Sequence, residues 1–110
     1  MDLYEIVMTY DAKNDLLEVR DYISDVLSVP DIAKKYISVV KNEISKLSVM
    51  PKRNRLIDNE PWKSRGLRRI LVKNFFVYYR VDDTDKKVYI LNVIYSRRDQ
   101  LKILAKMKLD

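Results

Sequence analysis

Residues 67–95 read LRRILVKNFFVYYRVDDTDKKVYILNVIY, and this stretch decides the fold. β-Branched and aromatic residues fill it in three runs, Leu67–Val72, Phe75–Asp82 and Val88–Tyr95, each of which predicts a strand. Lys73-Asn74 predicts a tight turn, because Asn tolerates positive φ. Asp83-Thr84-Asp85-Lys86 predicts a second. Strands joined by such short turns are antiparallel.

Side chains alternate between the two faces of a strand. Phe75, Val77, Tyr79 and Val81 therefore share one face of the middle strand, and Phe76, Tyr78 and Arg80 the other. The first set is the more apolar and is expected to meet the helices. On the last strand Tyr89, Leu91, Val93, Tyr95 and Arg97 fall opposite Val88, Ile90, Asn92 and Ile94, and both sets are largely apolar. If Tyr95 and Arg97 join Phe76, Tyr78 and Arg80, the second face is an open one of aromatics interleaved with Arg. Such rings stack on bases for roughly 1–3 kcal/mol each, and Arg grips phosphate with two hydrogen bonds.

Upstream, Leu3–Met8 alternates and predicts a short first strand. A helix follows, with Asp11 suited to its N-cap and Ala12, Leu16, Val19, Ile23 and Val26 forming one apolar stripe. Ser28-Val29-Pro30-Asp31 breaks it and opens a second helix, whose stripe is Ala33, Ile37, Val40, Ile44 and Leu47. Pro51 ends that helix. Residues 52–66 have no period and read as an exposed loop. A short helix over Gln100–Lys108 closes the chain. The expected architecture is α+β, with order β-α-α-β-β-β. The N-terminal helix hairpin packs on one face of a mostly antiparallel sheet, and residues 1–110 form one domain.

The chain has no cysteine and no histidine, which excludes disulfides, thiolate metal sites and imidazole bases. No metal site and no cofactor are expected. The Asp82–Asp85 cluster lacks the spacing and glycine of a calcium loop and reads as a turn. Acid near the N-terminus and the lack of a long apolar run predict a cytoplasmic protein with no membrane partner.

Net charge is +6. Between Lys52 and Lys73 stand eight bases, Lys52, Arg53, Arg55, Lys63, Arg65, Arg68, Arg69 and Lys73, against only Asp58 and Glu60. Such asymmetry favours a polyanion or an acidic protein as partner over mere solvation. Trp62 either anchors the loop or touches a partner. Arg97-Arg98-Asp99 either forms an ion pair tying the last strand to the closing helix or presents Arg97 to a ligand.

Several segments together carry a family likeness. They are Tyr4-Glu5-Ile6-Val7-Met8-Thr9, Asp21-Tyr22-Ile23, Trp62, Gly66-Leu67-Arg68-Arg69-Ile70, Asn74 through Val81, and Val93-Ile94-Tyr95-Ser96-Arg97-Arg98-Asp99. In this order the chain resembles the RelE/ParE superfamily of bacterial toxins over nearly its whole length. The resemblance implies the toxin of a type II toxin–antitoxin pair, neutralised by a cognate antitoxin that wraps it with an extended, often acidic segment. It implies one of two targets: DNA gyrase, blocked by ParE-like members, or ribosome-bound mRNA, cut by RelE-like members.

Cleavage in RelE-like members uses basic residues and a Tyr rather than His. Carried over by position, the candidate catalytic residues are Arg68, Arg69 and Arg97, with Tyr95 or Tyr78 as a substitute acid–base group. The Arg that RelE carries on the middle late strand falls at Phe76, and the Tyr of its C-terminal segment falls near Ile103. Tyr95-Ser96-Arg97-Arg98-Asp99 sits closer to the ParE side. Residues Lys52, Arg53, Arg55, Trp62, Lys63, Arg65, Lys73, Phe76, Tyr78 and Arg80 are candidates for binding the antitoxin or target, with Lys52–Arg65 suited to an acidic antitoxin. Two alternatives remain beside a gyrase-blocking toxin: a ribosome-dependent mRNA endonuclease, and an inactive relative that only binds an antitoxin.

Overall fold

The computed structural model describes residues 3–26 and 28–107. The Val26 side chain and Lys108, each part of a predicted element, lie outside the described part. Strand β1 is Glu5–Met8. Helix α1, Tyr10–Asp21, continues into a π-helical turn, Tyr22–Val26, and α2 follows at Pro30–Ser45. Two 3-10 turns, Lys46–Ser48 and Pro51–Arg53, lead out of α2. Then come β2 (Leu67–Val72), β3 (Phe75–Asp82), β4 (Lys87–Tyr95) and the short α3 (Gln100–Leu104).

The sheet order is β1-β4-β3-β2. β2, β3 and β4 form an antiparallel meander, while β1 runs parallel to β4 with Glu5 opposite Lys87 and Met8 opposite Ile90. A parallel neighbour needs a long crossover, and the helix hairpin supplies it.

The α1 N-cap is Thr9 rather than Asp11. The Thr9 hydroxyl accepts the Ala12 N–H at 3.2 Å and donates to the Ile90 carbonyl at 2.7 Å. One hydroxyl thus caps the helix and fixes its start on β4, which Asp11, one position into the helix, cannot do. Asp11 instead sits in the first turn, where its charge suits the helix dipole.

Ala12 and Leu16 of α1 and Val40 and Ile44 of α2 bury against Val77 and Tyr79 of β3 and Val88, Ile90 and Val93 of β4. Phe75 and Val81 pack at the margin, so the β3 face assigned by parity meets the helices. Strict alternation fails on β4. Tyr78 pairs with Asn92 but Tyr79 pairs with Ile90, so Leu91 is an extra residue in a bulge. Past it the phase flips: Val93 joins the helix side with Val88 and Ile90, and Leu91 and Ile94 face away. Tyr95 consequently packs on the helix side, its ring 5.6 Å from Phe75, which stands 6.0 Å from Tyr36 of α2.

The second sheet face is not open. Ile57, Leu67, Tyr78, Leu91, Ile94 and Leu104 form a second core there, flanked by Trp62, Phe76, Tyr89, Ile103 and Met107. Helix α3 and the 54–66 segment cover it. That segment is more anchored than its lack of period suggests: Leu56 bridges Arg68, the Ile57 N–H donates to the Leu67 carbonyl, and Ile57 is buried. Gly66 adopts φ +82°, which favours glycine where the segment turns into β2.

The β2–β3 turn takes its positive φ at Lys73 (+56°) and not at Asn74. The Asn74 carbonyl accepts the Ser96 N–H at 2.8 Å, extending the β3–β4 ladder by a residue and leaving the left-handed position to Lys73.

Candidate binding face

Arg68 and Arg69 are sequence neighbours on β2 and so point to opposite faces. Arg68 lies on the helix side. Its Nη1 donates to the Asn54 carbonyl at 2.6 Å and to the Lys52 carbonyl at 3.4 Å. Beside it the Tyr79 hydroxyl donates to the Pro51 carbonyl at 2.7 Å and accepts from Asn54 Nδ2 at 3.1 Å. Burial pushes the Tyr79 phenol up, against the opposing hydrogen bond from Asn54. Arg68 and Tyr79 together clamp the 51–54 turn to the sheet.

Arg69 lies on the other face. Its guanidinium stands 4.0 Å over the Phe76 ring, and its Nη1 donates to the Tyr78 hydroxyl at 3.2 Å. The Tyr78 side chain is buried, and its hydroxyl donates to Gln100 Oε1 at 2.7 Å. Burial raises the Tyr78 phenol, with Arg69 pulling it back. Gln100 Nε2 then donates to the Tyr95 carbonyl at 3.0 Å and the Arg98 carbonyl at 2.8 Å. A continuous chain, Arg69–Tyr78–Gln100, therefore connects β2 through β3 to the turn that carries Arg97 and Arg98. Gln100 escaped sequence reasoning, because a single Gln beside a helix start has no pattern to distinguish it.

Arg97 and Arg98 project from this turn and are exposed, and among the described residues neither side chain has an ion-pair partner. Asp99 makes no ion pair with them. It caps α3, its Oδ1 accepting the Lys102 N–H at 3.2 Å.

Arg68, Arg69, Arg97 and Tyr95 do not converge. Arg68 is committed to backbone carbonyls, Tyr95 packs toward Phe75 on the helix side, Arg69 lies on the second face beside the Tyr78 hydroxyl, and Arg97 is exposed in the turn after β4. Phe76 lies under Arg69 instead of offering a bare ring. Arg80 sits 4.8 Å over Tyr89, with its buried Nε lacking a hydrogen-bond partner.

The binding candidates of the middle third separate as well. Lys52 pairs with Asp83, whose carboxyl is held below its usual range by hydrogen bonds from Lys52 and from the Tyr4 hydroxyl. Arg55 reaches Asp58 at 3.7 Å, and Arg53 donates to the Val49 carbonyl. Lys63, Arg65 and Lys73 are exposed, with no ion-pair partner among the described residues. Trp62 anchors the loop: its Nε1–H donates at 3.2 Å to the Leu104 carbonyl, which also accepts the Met107 N–H at 3.0 Å. Among the described residues no group of His, Cys, Asp or Glu is placed to hold a metal ion, and no helix is long and apolar enough to cross a membrane.

Solved structures share this arrangement. A chromosomal ParDE toxin–antitoxin system from P. aeruginosa superposes with TM-score 0.70 at 22% identity, covering 84% of this chain and 96% of that one. The toxin–antitoxin complex RelBE2 from Mycobacterium tuberculosis gives TM-score 0.60 at 24% identity, covering 84% and 98%. A free-state mutant of the E. coli toxin RelE gives 0.59 at 11% identity, covering 92% of each chain. A search among curated proteins returns no match. The profile of the ParE toxin of the type II system parDE matches residues 6–100, from β1 to the first residue of α3. Since that match takes in the bulged meander, the helix hairpin and the Arg97 turn alike, the chain belongs to the ParE toxin family and is the toxin of a type II toxin–antitoxin pair.

Proposed function

We propose that this toxin arrests growth in the cytoplasm by binding DNA gyrase and blocking supercoiling, not by cutting RNA, and that a cognate antitoxin neutralises it. The observation that carries this reading is the split between Arg68 and Arg69. Cleavage of a phosphodiester needs a base for the 2′-OH, cations on the developing charge and a donor for the leaving oxygen, all within reach of one phosphate. Here Arg68 is spent on the Asn54 and Lys52 carbonyls, and the Tyr95 ring packs against Phe75 on the helix side. What remains is a cationic face of Arg69 held over Phe76, with Arg97 exposed in the turn after β4. Such a face suits a macromolecular surface better than a reaction.

Induction in growing bacteria tests the proposal. The chain alone is expected to stop growth and relax a reporter plasmid, with mRNA left intact, and co-expression of the antitoxin is expected to restore both. Discrete mRNA cuts at the ribosomal A site that vanish in Arg97→Ala would favour an endonuclease instead. Unaffected growth would favour an inactive relative.

A further inference from the structure

Leu91 is the extra residue of the β4 bulge, and the bulge sits where β1 gives out. Met8 pairs with Ile90, and among the described residues no strand pairs with the outer edge of β4 beyond it. The backbone groups there take partners from the start of α1 instead. The Thr9 N–H donates to the Ile90 carbonyl at 3.1 Å, and the Thr9 hydroxyl donates to the same carbonyl at 2.7 Å, with the Leu91 carbonyl at 3.2 Å. Farther along α1, Asp15 Oδ2 accepts the Val93 N–H at 2.8 Å and Asn92 Nδ2 at 3.0 Å. Thr9 and Asp15 thus bracket the bulge, one on its carbonyls and the other on its N–H.

Without the bulge the strand would run in plain alternation. Tyr79 would still face Ile90, but Asn92 would stand opposite Val77, Val93 opposite Phe76 and Tyr95 opposite Asn74, each one residue from its place in the structure. Val93, Ile94 and Tyr95 can pack on either face, so packing alone separates the two registers only weakly. Polar groups separate them further. In the regular register the Asn92 amide would be pressed against the fully buried Val77, and the Val93 N–H would turn inward, away from Asp15. In the bulge Asn92 Oδ1 is buried without a hydrogen-bond partner. An unpaired buried acceptor destabilises the fold, so what Asn92 contributes here is its Nδ2 bond to Asp15.

The register decides where β4 delivers the turn that follows it. In the bulged strand the Ser96 N–H meets the Asn74 carbonyl at 2.8 Å, and the Tyr95 carbonyl accepts Gln100 Nε2 at 3.0 Å. Gln100 Nε2 also holds the Arg98 carbonyl at 2.8 Å. A slip to the regular register would turn the Tyr95 carbonyl toward Asn74 and its ring to the second face. That would break the Gln100 bond and shift Arg97 by one residue against Arg69. We propose that Asp15 and Asn92 are positioning residues for the target-binding turn: together they lock the bulge, and the bulge fixes where Arg97 stands relative to Arg69. The inference rests on the reading of Arg69 and Arg97 as the face that meets gyrase. Asp15 and Asn92 act through the backbone of β4.

The test is a full-length variant, Asp15→Ala/Asn92→Val, which removes the lock and the polar bar to slipping together. Cross-strand nuclear Overhauser contacts between Hα atoms read the register: wild type is expected to show Val77 with Val93, and the double variant Val77 with residue 92. Potency is read by titration against gyrase supercoiling, scaled by the folded fraction that the fluorescence of Trp62 reports. The double variant is expected to need roughly tenfold more protein, the scale on which residues without ligand contact modulate binding. Asp15→Asn, which keeps an oxygen for both donors, is expected to match wild type in register and potency. A merely structural role would lower the folded fraction and leave the potency of each folded molecule unchanged, and that result overturns the proposal. So does a folded double variant that keeps Val77 against Val93. If the double variant does not fold, Asp15→Ala alone decides on the same two readouts. If wild type leaves supercoiling intact, the gyrase reading fails by itself. Growth arrest at matched soluble protein then replaces supercoiling as the readout, and full arrest by the double variant overturns the positioning role.

Discussion

Arg68 and Arg69 divide one stretch of positive charge between two tasks. Arg68 bonds the Asn54 and Lys52 carbonyls on the helix side, whereas Arg69 covers Phe76 and reaches Tyr78 on the other face. Arg68 is a building element, and Arg69 belongs to the face proposed to meet a target.

Two alanine variants separate these roles. Arg68→Ala leaves two carbonyls without their donor and is expected to cost about 1.5–3 kcal/mol, the range for hydrogen bonds from a charged group. Arg69→Ala loses an exposed cation–π contact and one hydrogen bond to a hydroxyl that still donates to Gln100, and is expected to cost about 1 kcal/mol. Chemical denaturation measures both. Gyrase inhibition should fall for Arg69→Ala at unchanged folding, and equal stability losses for the two variants would contradict the division.

Tyr78→Phe removes the hydroxyl that receives from Arg69 and donates to Gln100. Gln100 Oε1 then loses its donor, so a cost of about 1–2 kcal/mol is expected in urea melts. Faster amide exchange at Arg98, whose segment Gln100 ties down, should accompany it. Unchanged exchange there would mean that the turn is held without this chain.

The chain has one Trp, so its fluorescence reports on the second core directly. Trp62→Phe keeps much of the packing but loses the Nε1–H bond to the Leu104 carbonyl, which retains the Met107 N–H, and no more than about 1 kcal/mol of destabilisation is expected. Trp62→Ala also empties a site between the loop and α3, and should cost about 3 kcal/mol or more. A loss below that for Trp62→Ala would mean that the loop is not what closes this face.

Asp15 and Asp83 tilt stability with pH in opposite senses. Burial, outweighing the hydrogen bonds from Val93 and Asn92, raises the Asp15 carboxyl above its ordinary 3.8. The folded state then binds the proton more tightly than the unfolded one, so this contribution is present below 3.8 and is lost as pH rises through the raised value. Asp83, lowered by Lys52 and Tyr4, contributes above its ordinary value and loses that contribution as pH falls. Denaturation midpoints across the acid range check this. Asp15→Asn should lose its stability deficit relative to wild type as pH rises, and Asp83→Asn should flatten the acid decline.

The meander was readable because its turns and β-rich runs are local signals, and all three strands lie within a residue of their expected bounds. The helix hairpin was readable from the spacing of Ala12, Leu16, Val40 and Ile44. The bulge at Leu91 was not. With apolar residues on both faces of β4, a one-residue slip leaves no mark in the pattern. That slip carried Tyr95 away from Phe76 and Tyr78, and so dissolved the open aromatic face expected from parity. The Thr9 cap escaped because its decisive partner, the Ile90 carbonyl, is eighty-one residues away in sequence. Arg68 and Arg69 looked alike as charge, and only the faces they point to and the contacts each makes tell them apart.

The central claim is that this toxin stops gyrase by binding it. The most direct measurement is gyrase-catalysed supercoiling of relaxed plasmid as purified toxin is titrated to excess. The account predicts that supercoiling stops, that added antitoxin restores it, and that Arg69→Ala and Arg97→Ala weaken the block while remaining folded. Undiminished supercoiling at excess folded toxin would contradict it.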